Sequence, residues 1–166
     1  MKKLLLILCF MVALTGCGAQ DTMETIADDN AAQVMAQVQQ VHVSLPEEAS
    51  VATMENADAG KLYLCDGYVV TVQTMEAGDL DKTLRQCTGF SRKQLTVMET
   101  VKNEIKRYDC VWSAAGEGGD QVARAAILDD GSYHYVVTVM ADFASAGDLS
   151  KTWQEILDSI TLNRIE

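Results

Sequence analysis

The chain has 166 residues, a net charge of −11 at neutral pH, and 48% apolar residues, enough for one domain with a real core. So acidic a surface excludes nucleic acid as a partner, because polyanion binding needs clustered Lys and Arg. Two histidines far apart and five cysteines without a Cys-x-x-Cys pair leave no zinc-type spacing, and neither a metal nor a cofactor is expected.

In chain order, Lys2 and Lys3 precede eleven almost purely apolar residues, 4–14. That run is far short of the roughly 20 residues that span a bilayer and has the length of a signal-peptide core. Leu14-Thr15-Gly16-Cys17 follows and resembles the lipobox of bacterial lipoproteins. The resemblance implies cleavage before Cys17, lipidation of its thiol, and residence at the extracytoplasmic face of the bacterial cell membrane. Two or three acyl chains anchor far more firmly than one. Loss of residues 1–16, with their two lysines, takes the net charge from −11 to −13. A surface this acidic is repelled by anionic headgroups, so the lipid rather than the protein holds the domain there.

Residues 17–40 carry the lipidated Cys17 and a small, polar, acidic tether. Asp29 or Asn30 can cap a short helix over 31–38, with Val34, Val38 and Val41 on one stripe. The folded domain is expected over 41–166. Residues 41–45 alternate as a first strand that Pro46 ends.

The chain repeats itself. Asp66-Gly67, Tyr68-Val-Val-Thr-Val72 and Ala77-Gly-Asp-Leu80 return as Asp130-Gly131, Tyr135-Val-Val-Thr-Val139 and Ala146-Gly-Asp-Leu149. Each Asp-Gly predicts a two-residue hairpin turn, each Tyr-Val-Val-Thr-Val a strand, and each Gly-Asp-Leu a capped helix start. Duplication and shared folding rules both account for such a repeat. Between the copies, 95–101 and 105–113 read as strands, 116–120 as a turn, and 121–128 as the arm leading into Asp129-Asp130-Gly131. The last helix is expected over 148–160, burying Leu149, Trp153, Ile156, Leu157 and Ile160 at helical spacing.

These elements predict a single α+β domain: an antiparallel sheet of six or seven strands packed with two main helices. The element order and the closing Trp153-to-Ile160 helix resemble the PsbP-like fold over residues 41–162. That resemblance implies a sheet between helix layers. It carries no functional residue across, because the fold has no shared site.

Once Cys9 leaves with the signal and Cys17 takes lipid, Cys65, Cys87 and Cys110 remain. Cys87 is in register with Leu80 and Leu84, and Cys110 alternates with Tyr108 and Trp112, so both should face the core. An exported compartment permits a Cys87–Cys110 disulfide, with Cys65 as rival partner, and three buried reduced thiols are equally compatible. Closing that loop of about 24 residues would contribute about 3 kcal/mol in the chain-entropy model. Arg92, Lys93, Lys102, Lys106 and Arg107 form a basic cluster in sequence, able to receive an acidic partner or to pair with the protein's own carboxylates. Tyr63, Tyr68, Tyr108, Trp112, Tyr133 and Tyr135 fall in predicted strands, where sheet packing accounts for them. Asp66, Asp129 and Asp130 are turn acids without a calcium-loop pattern, and no serine stands in a triad-like relation to a histidine.

With no convergent catalytic groups, the sequence favours a membrane-anchored, non-enzymatic module that binds a protein or a small ligand. An envelope enzyme or thiol-redox protein using Cys65, Cys87 or Cys110 is the alternative.

Overall fold

The computed structural model describes residues 39–52, 60–116 and 119–163. The signal, Cys17, the tether and the helix expected over 31–38 lie outside the described residues. No helix among the described residues is long and apolar enough to cross a membrane.

Nine strands and two α-helices are described, in the order β1 (Gln40–His42), β2 (Ser50–Ala52), β3 (Lys61–Cys65), β4 (Tyr68–Glu76), α1 (Leu80–Thr88), β5 (Val97–Lys102), β6 (Ile105–Gly116), β7 (Gly119–Asp129), β8 (Tyr133–Asp142), α2 (Phe143–Asp158) and β9 (Thr161–Asn163). Seven form an antiparallel sheet in the order β2-β3-β4-β8-β7-β6-β5, and β1 pairs separately with β9. The expected first strand therefore exists but stands outside the main sheet. Tight turns set the hairpins. Cys65 pairs with Tyr68 across Asp66-Gly67, as the sequence implied, with Gly67 at φ +77°. Lys102 pairs with Ile105 across Asn103-Glu104, both left-handed at φ +53° and +67°, the backbone of a type I′ turn.

The two Tyr-Val-Val-Thr-Val segments are neighbours. Val70 pairs with Val139, Thr71 with Thr138, and Val72 with Val137, so the repeat meets itself about a local two-fold through the threonines. A duplicated unit related by that axis would put both helices on one face. Instead α1 packs Leu80 and Leu84 on one face with Tyr108, Cys110, Trp112, Ile127 and Val136. Helix α2 packs Trp153, Ile156 and Leu157 on the other with Tyr68, Val70, Val137 and Val139. The sheet thus lies between helix layers. The repeat is a shared strand-forming string rather than a duplicated unit.

The copies diverge in detail. Asp79 caps α1, its carboxylate accepting from Asp81 N at 3.0 Å, and left-handed Gly89 closes the helix. In the second copy Gly147-Asp148 lies inside α2, which begins five residues earlier than predicted, directly from β8. The first turns of a helix that continues straight from a strand carry no break for periodicity to detect. The second hairpin turn is Gly131-Ser132, one residue later than predicted, because Asp130 N donates to Tyr133 O and its carboxylate accepts from Ser132 N and Tyr133 N. The turn expected over 116–120 is shorter too, since Gly116 pairs with Gly119.

A buried polar chain ties α1 to the sheet. Thr83 Oγ1 lies 2.7 Å from His134 Nδ1, and His134 Nε2 lies 3.7 Å from Asp129 Oδ2, a distance too long for a hydrogen bond. Thr83 is 3% exposed and His134 1%. Replacing Thr83 by Val keeps the shape but leaves His134 Nδ1 buried without a partner, at a cost of about 1–3 kcal/mol. Urea unfolding followed by tryptophan fluorescence should show that loss, and an unchanged midpoint would contradict the role.

Candidate functional site

One opening follows from where β1 finds its hydrogen bonds. β1 takes them from β9, with Val41 opposite Leu162, and Ser44 N donates to Ser159 Oγ at 2.9 Å. Because β1 bonds β9 rather than β3 or β4, it runs over the sheet face as a strap, and Val41, Val43 and Leu45 pack against the α2-side core. A cleft of about 730 Å³ lies between strap and sheet, with those residues, Tyr63 and Val72 as apolar walls, and Gln39, Gln40, His42, Lys61 and Thr74 supplying polar groups. Gly60 lines it at φ +110°, where an added Cβ would sit 2.3 Å from the Val72 carbonyl oxygen, so only glycine fits.

One network holds the entry to the strap. Gln39 N donates to Tyr135 Oη at 2.9 Å, Gln39 Nε2 donates to Asp130 Oδ2 at 3.0 Å, and Tyr135 Oη donates to Asp130 Oδ2 at 2.9 Å. Burial pushes the Asp130 carboxyl up, but the donors Tyr133 N, Ser132 N, Tyr135 Oη and Gln39 Nε2 outweigh it and hold it below the usual carboxylate range. Burial, with Asp130 beside it, pushes Tyr135 up to about 12.

The cysteines divide between faces. Cys87 and Cys110 pack in the α1-side core, as their register implied, while Cys65 packs against the α2-side core. The sheet separates Cys65 from the other two, so it is no rival partner. All three thiols are free in the structure. Burial pushes Cys87 up to about 11 and Cys110 up to about 12, and Cys87 itself raises Cys110. Burial also raises Cys65.

The five basic residues do not converge. Neighbours along a strand face opposite ways, so Lys106 shares the α1 face with its partner Val101, while Lys102 and Arg107 take the α2 face. Arg92 pairs with Glu99 at 3.6 Å, and Lys93 is exposed beside it. Arg107 is occupied: it holds both Asp109 oxygens, donates to Leu157 O at 3.0 Å, and lies 3.6 Å from Asp158. Its role is to fasten the end of α2 to β6. The predicted cluster is therefore a correction, resolved into separate residues on two faces.

Among the described residues no group of three or more His, Cys, Asp or Glu can hold a metal ion. Tyr68, Tyr108, Trp112 and Tyr135 are buried in the sheet cores. Sequence reasoning missed Thr83–His134, because its partners are 51 residues apart and the nucleophile type sought was serine.

The architecture defines a PsbP-like α+β domain. No protein-family model matches the chain, and no curated protein matches it. Among solved structures, LpqN, described as involved in cell envelope biogenesis of Mycobacterium tuberculosis, aligns with TM-score 0.52 at 8% identity, over 79% of this chain and 87% of that one. Cyanobacterial PsbP from Synechocystis sp. PCC 6803 aligns with TM-score 0.54 at 10% identity, over 78% and 95%. The Ran-binding protein Mog1p of Saccharomyces cerevisiae aligns with TM-score 0.48 at 13% identity, over 76% and 96%.

Two measurements check this geometry. Asparagine at 130 offers an N–H₂ where Tyr135 and Gln39 need an acceptor, so Asp130→Asn should cost about 1.5–3 kcal/mol at neutral pH. The folded carboxyl titrates below its unfolded value of about 3.9, so its contribution is present above that pH and lost as pH falls through the folded pKa. Wild type should therefore lose stability on acidification below about pH 4 more steeply than Asp130→Asn. The thiols give the second measurement. At pH 8 a thiol near 11 is only about one part in a thousand thiolate, so Cys87 and Cys110 should resist alkylation in the native protein. Oxidation during refolding from denaturant, while the thiols are still accessible, should join them and leave Cys65 free. Titration in denaturant would then fall from three thiols to one, and a Cys65 adduct in the peptide map would refute the pairing.

Proposed function

We propose that the chain is a lipid-anchored, non-enzymatic binding module on the extracytoplasmic face of a bacterial cell membrane, and that the cleft under the β1 strap receives a small ligand with both apolar and polar groups. The cleft carries this reading. Its volume of about 730 Å³ falls within the roughly 300–1,000 Å³ of small-molecule sites, which pair apolar walls with a few placed polar groups. The address rests on Lys2-Lys3, the apolar run and Leu14-Thr15-Gly16-Cys17. LpqN, which shares the fold, is involved in cell envelope biogenesis, and an envelope address is compatible with that. The absence of enzymatic action is supported by thiols that burial holds protonated and by a Thr83–His134 pair almost closed to solvent.

Two arms test the proposal. Cells fed an alkyne-bearing fatty acid should label the wild-type protein and not Cys17→Ala, which should leave the membrane fraction. A fragment library titrated against the isotope-labelled protein should move the amide signals of Val43, Tyr63 and Val72. Thr74→Trp, which fills the cleft from an exposed position, should abolish those shifts. Fragments that bind equally well to Thr74→Trp would remove the cleft from the proposal.

A further inference from the structure

We infer that the α2-side sheet face between α2 and the β5 edge is a second docking surface, for a peptide segment of a partner protein that presents one carboxylate beside an apolar side chain. It lies on the far side of α2 from the cleft and is independent of it.

Helix α2 rests on β7 and β8, and no other described element lies over the β5–β6 end of that face. Met98 is 64% exposed and Val111 54%, both directed to the α2 side by register. Two adjoining hollows of about 290 and 360 Å³ share Met98, Asp109, Arg124 and Leu157, making a shallow groove along the wall of α2. A flat, open groove gives a small molecule few contacts, whereas an extended or helical segment can lie along it.

Arg124 sets the chemistry. It sits between Val111 and Val139, is half-buried, and makes no ion pair or hydrogen bond among the described residues. The obvious counter-ion is taken, since Arg107 occupies both oxygens of Asp109. A partly desolvated guanidinium without a carboxylate is costly, and its planar fork fits a carboxylate in two-point fashion. Met98 and Val111 supply the apolar contact beside it. The domain's overall negative charge repels acidic partners at long range. The guest segment therefore carries its carboxylate singly, in an otherwise neutral or basic stretch.

The test is selection of a random peptide display library on the full chain, followed by titration of the synthetic consensus peptide. The expected consensus places one Asp or Glu, or a free C-terminal carboxylate, next to an apolar residue. Arg124→Gln and Val111→Asp should each weaken binding by roughly tenfold or more, while Thr74→Trp leaves it unchanged. Both variants lie outside the buried core, and their thermal unfolding should match wild type. The inference is overturned by a consensus without an acid, by no enrichment, by affinities within about twofold of wild type in Arg124→Gln, or by loss in Thr74→Trp. Sedimentation of wild type as a dimer that Arg124→Gln dissociates would overturn it too, assigning the face to a second copy.

Discussion

Everything else in this domain depends on the pairing of β4 with β8. The other contacts of the main sheet are between chain neighbours: β2–β3–β4 on one side and the β5–β6–β7–β8 meander on the other. The β4–β8 ladder alone joins these two halves of the main sheet, across 69 positions from Val70 to its register partner Val139. Val70, Val137 and Val139 have no exposed surface on the α2 side, nor has Val136 on the α1 side. At about 1.5–3 kcal/mol per fully buried aliphatic side chain, this seam is the densest part of the core. A slip of one residue would turn the buried valines to the opposite faces. The register is held on two sides at once, because each face is covered by its own helix.

That constraint accounts for the openings. A helix of 16 residues is about 24 Å long and about one helix diameter wide, so it cannot cover seven strands. Laid over the central seam, α2 leaves bare sheet to either side. On the β3 side the β1 strap roofs the gap without pairing with a strand of the main sheet, and the cleft results. On the β5 side nothing described lies over the gap, and Arg124 is left with Met98 and Val111. Arg107 fixes where one opening ends, by holding Leu157 O at the last turn of α2. Gln39, Asp130 and Tyr135 fix where the other begins.

Legibility in the sequence followed the range of each interaction. Tyr-Val-Val-Thr-Val announced two strands, Asp66-Gly67 a turn, and the Leu80, Leu84, Cys87 stripe a helix face, because each rests on a period or a turn within a few residues. The bounds of α2 were misjudged where Gly147-Asp148 imitated a cap but formed helix interior. The β1–β9 pair was illegible: two three-residue strands about 120 positions apart carry no local pattern that names a partner. The basic cluster failed for the opposite reason. Lys102, Lys106 and Arg107 are close in sequence, yet the two-residue period of strands sends Lys106 and Arg107 to opposite faces. Arg124 was overlooked because a single cation among Ala123, Ala125 and Ala126 looks like ordinary alternation until the missing counter-ion is seen in space.

The solved structures that share this fold agree with it at only 8–10% identity, so what they share is a pattern of burial rather than a set of side chains. Such a pattern needs residues that are apolar and of about the right size, which many sequences satisfy. Polar residues placed on the covered face are different, because burial does not require them and usually opposes them. On the α2 side they include Lys61 and Thr74 at one opening and Arg124 at the other, besides the Arg107–Asp109 pair that fastens α2. Arg124 interrupts the run of Val122, Ala126 and Leu128 on its face of β7, Thr74 ends the run of Tyr68, Val70 and Val72 on β4, and Lys61 opens β3. The parts of this chain that the shared scaffold does not dictate are thus the parts that face its openings.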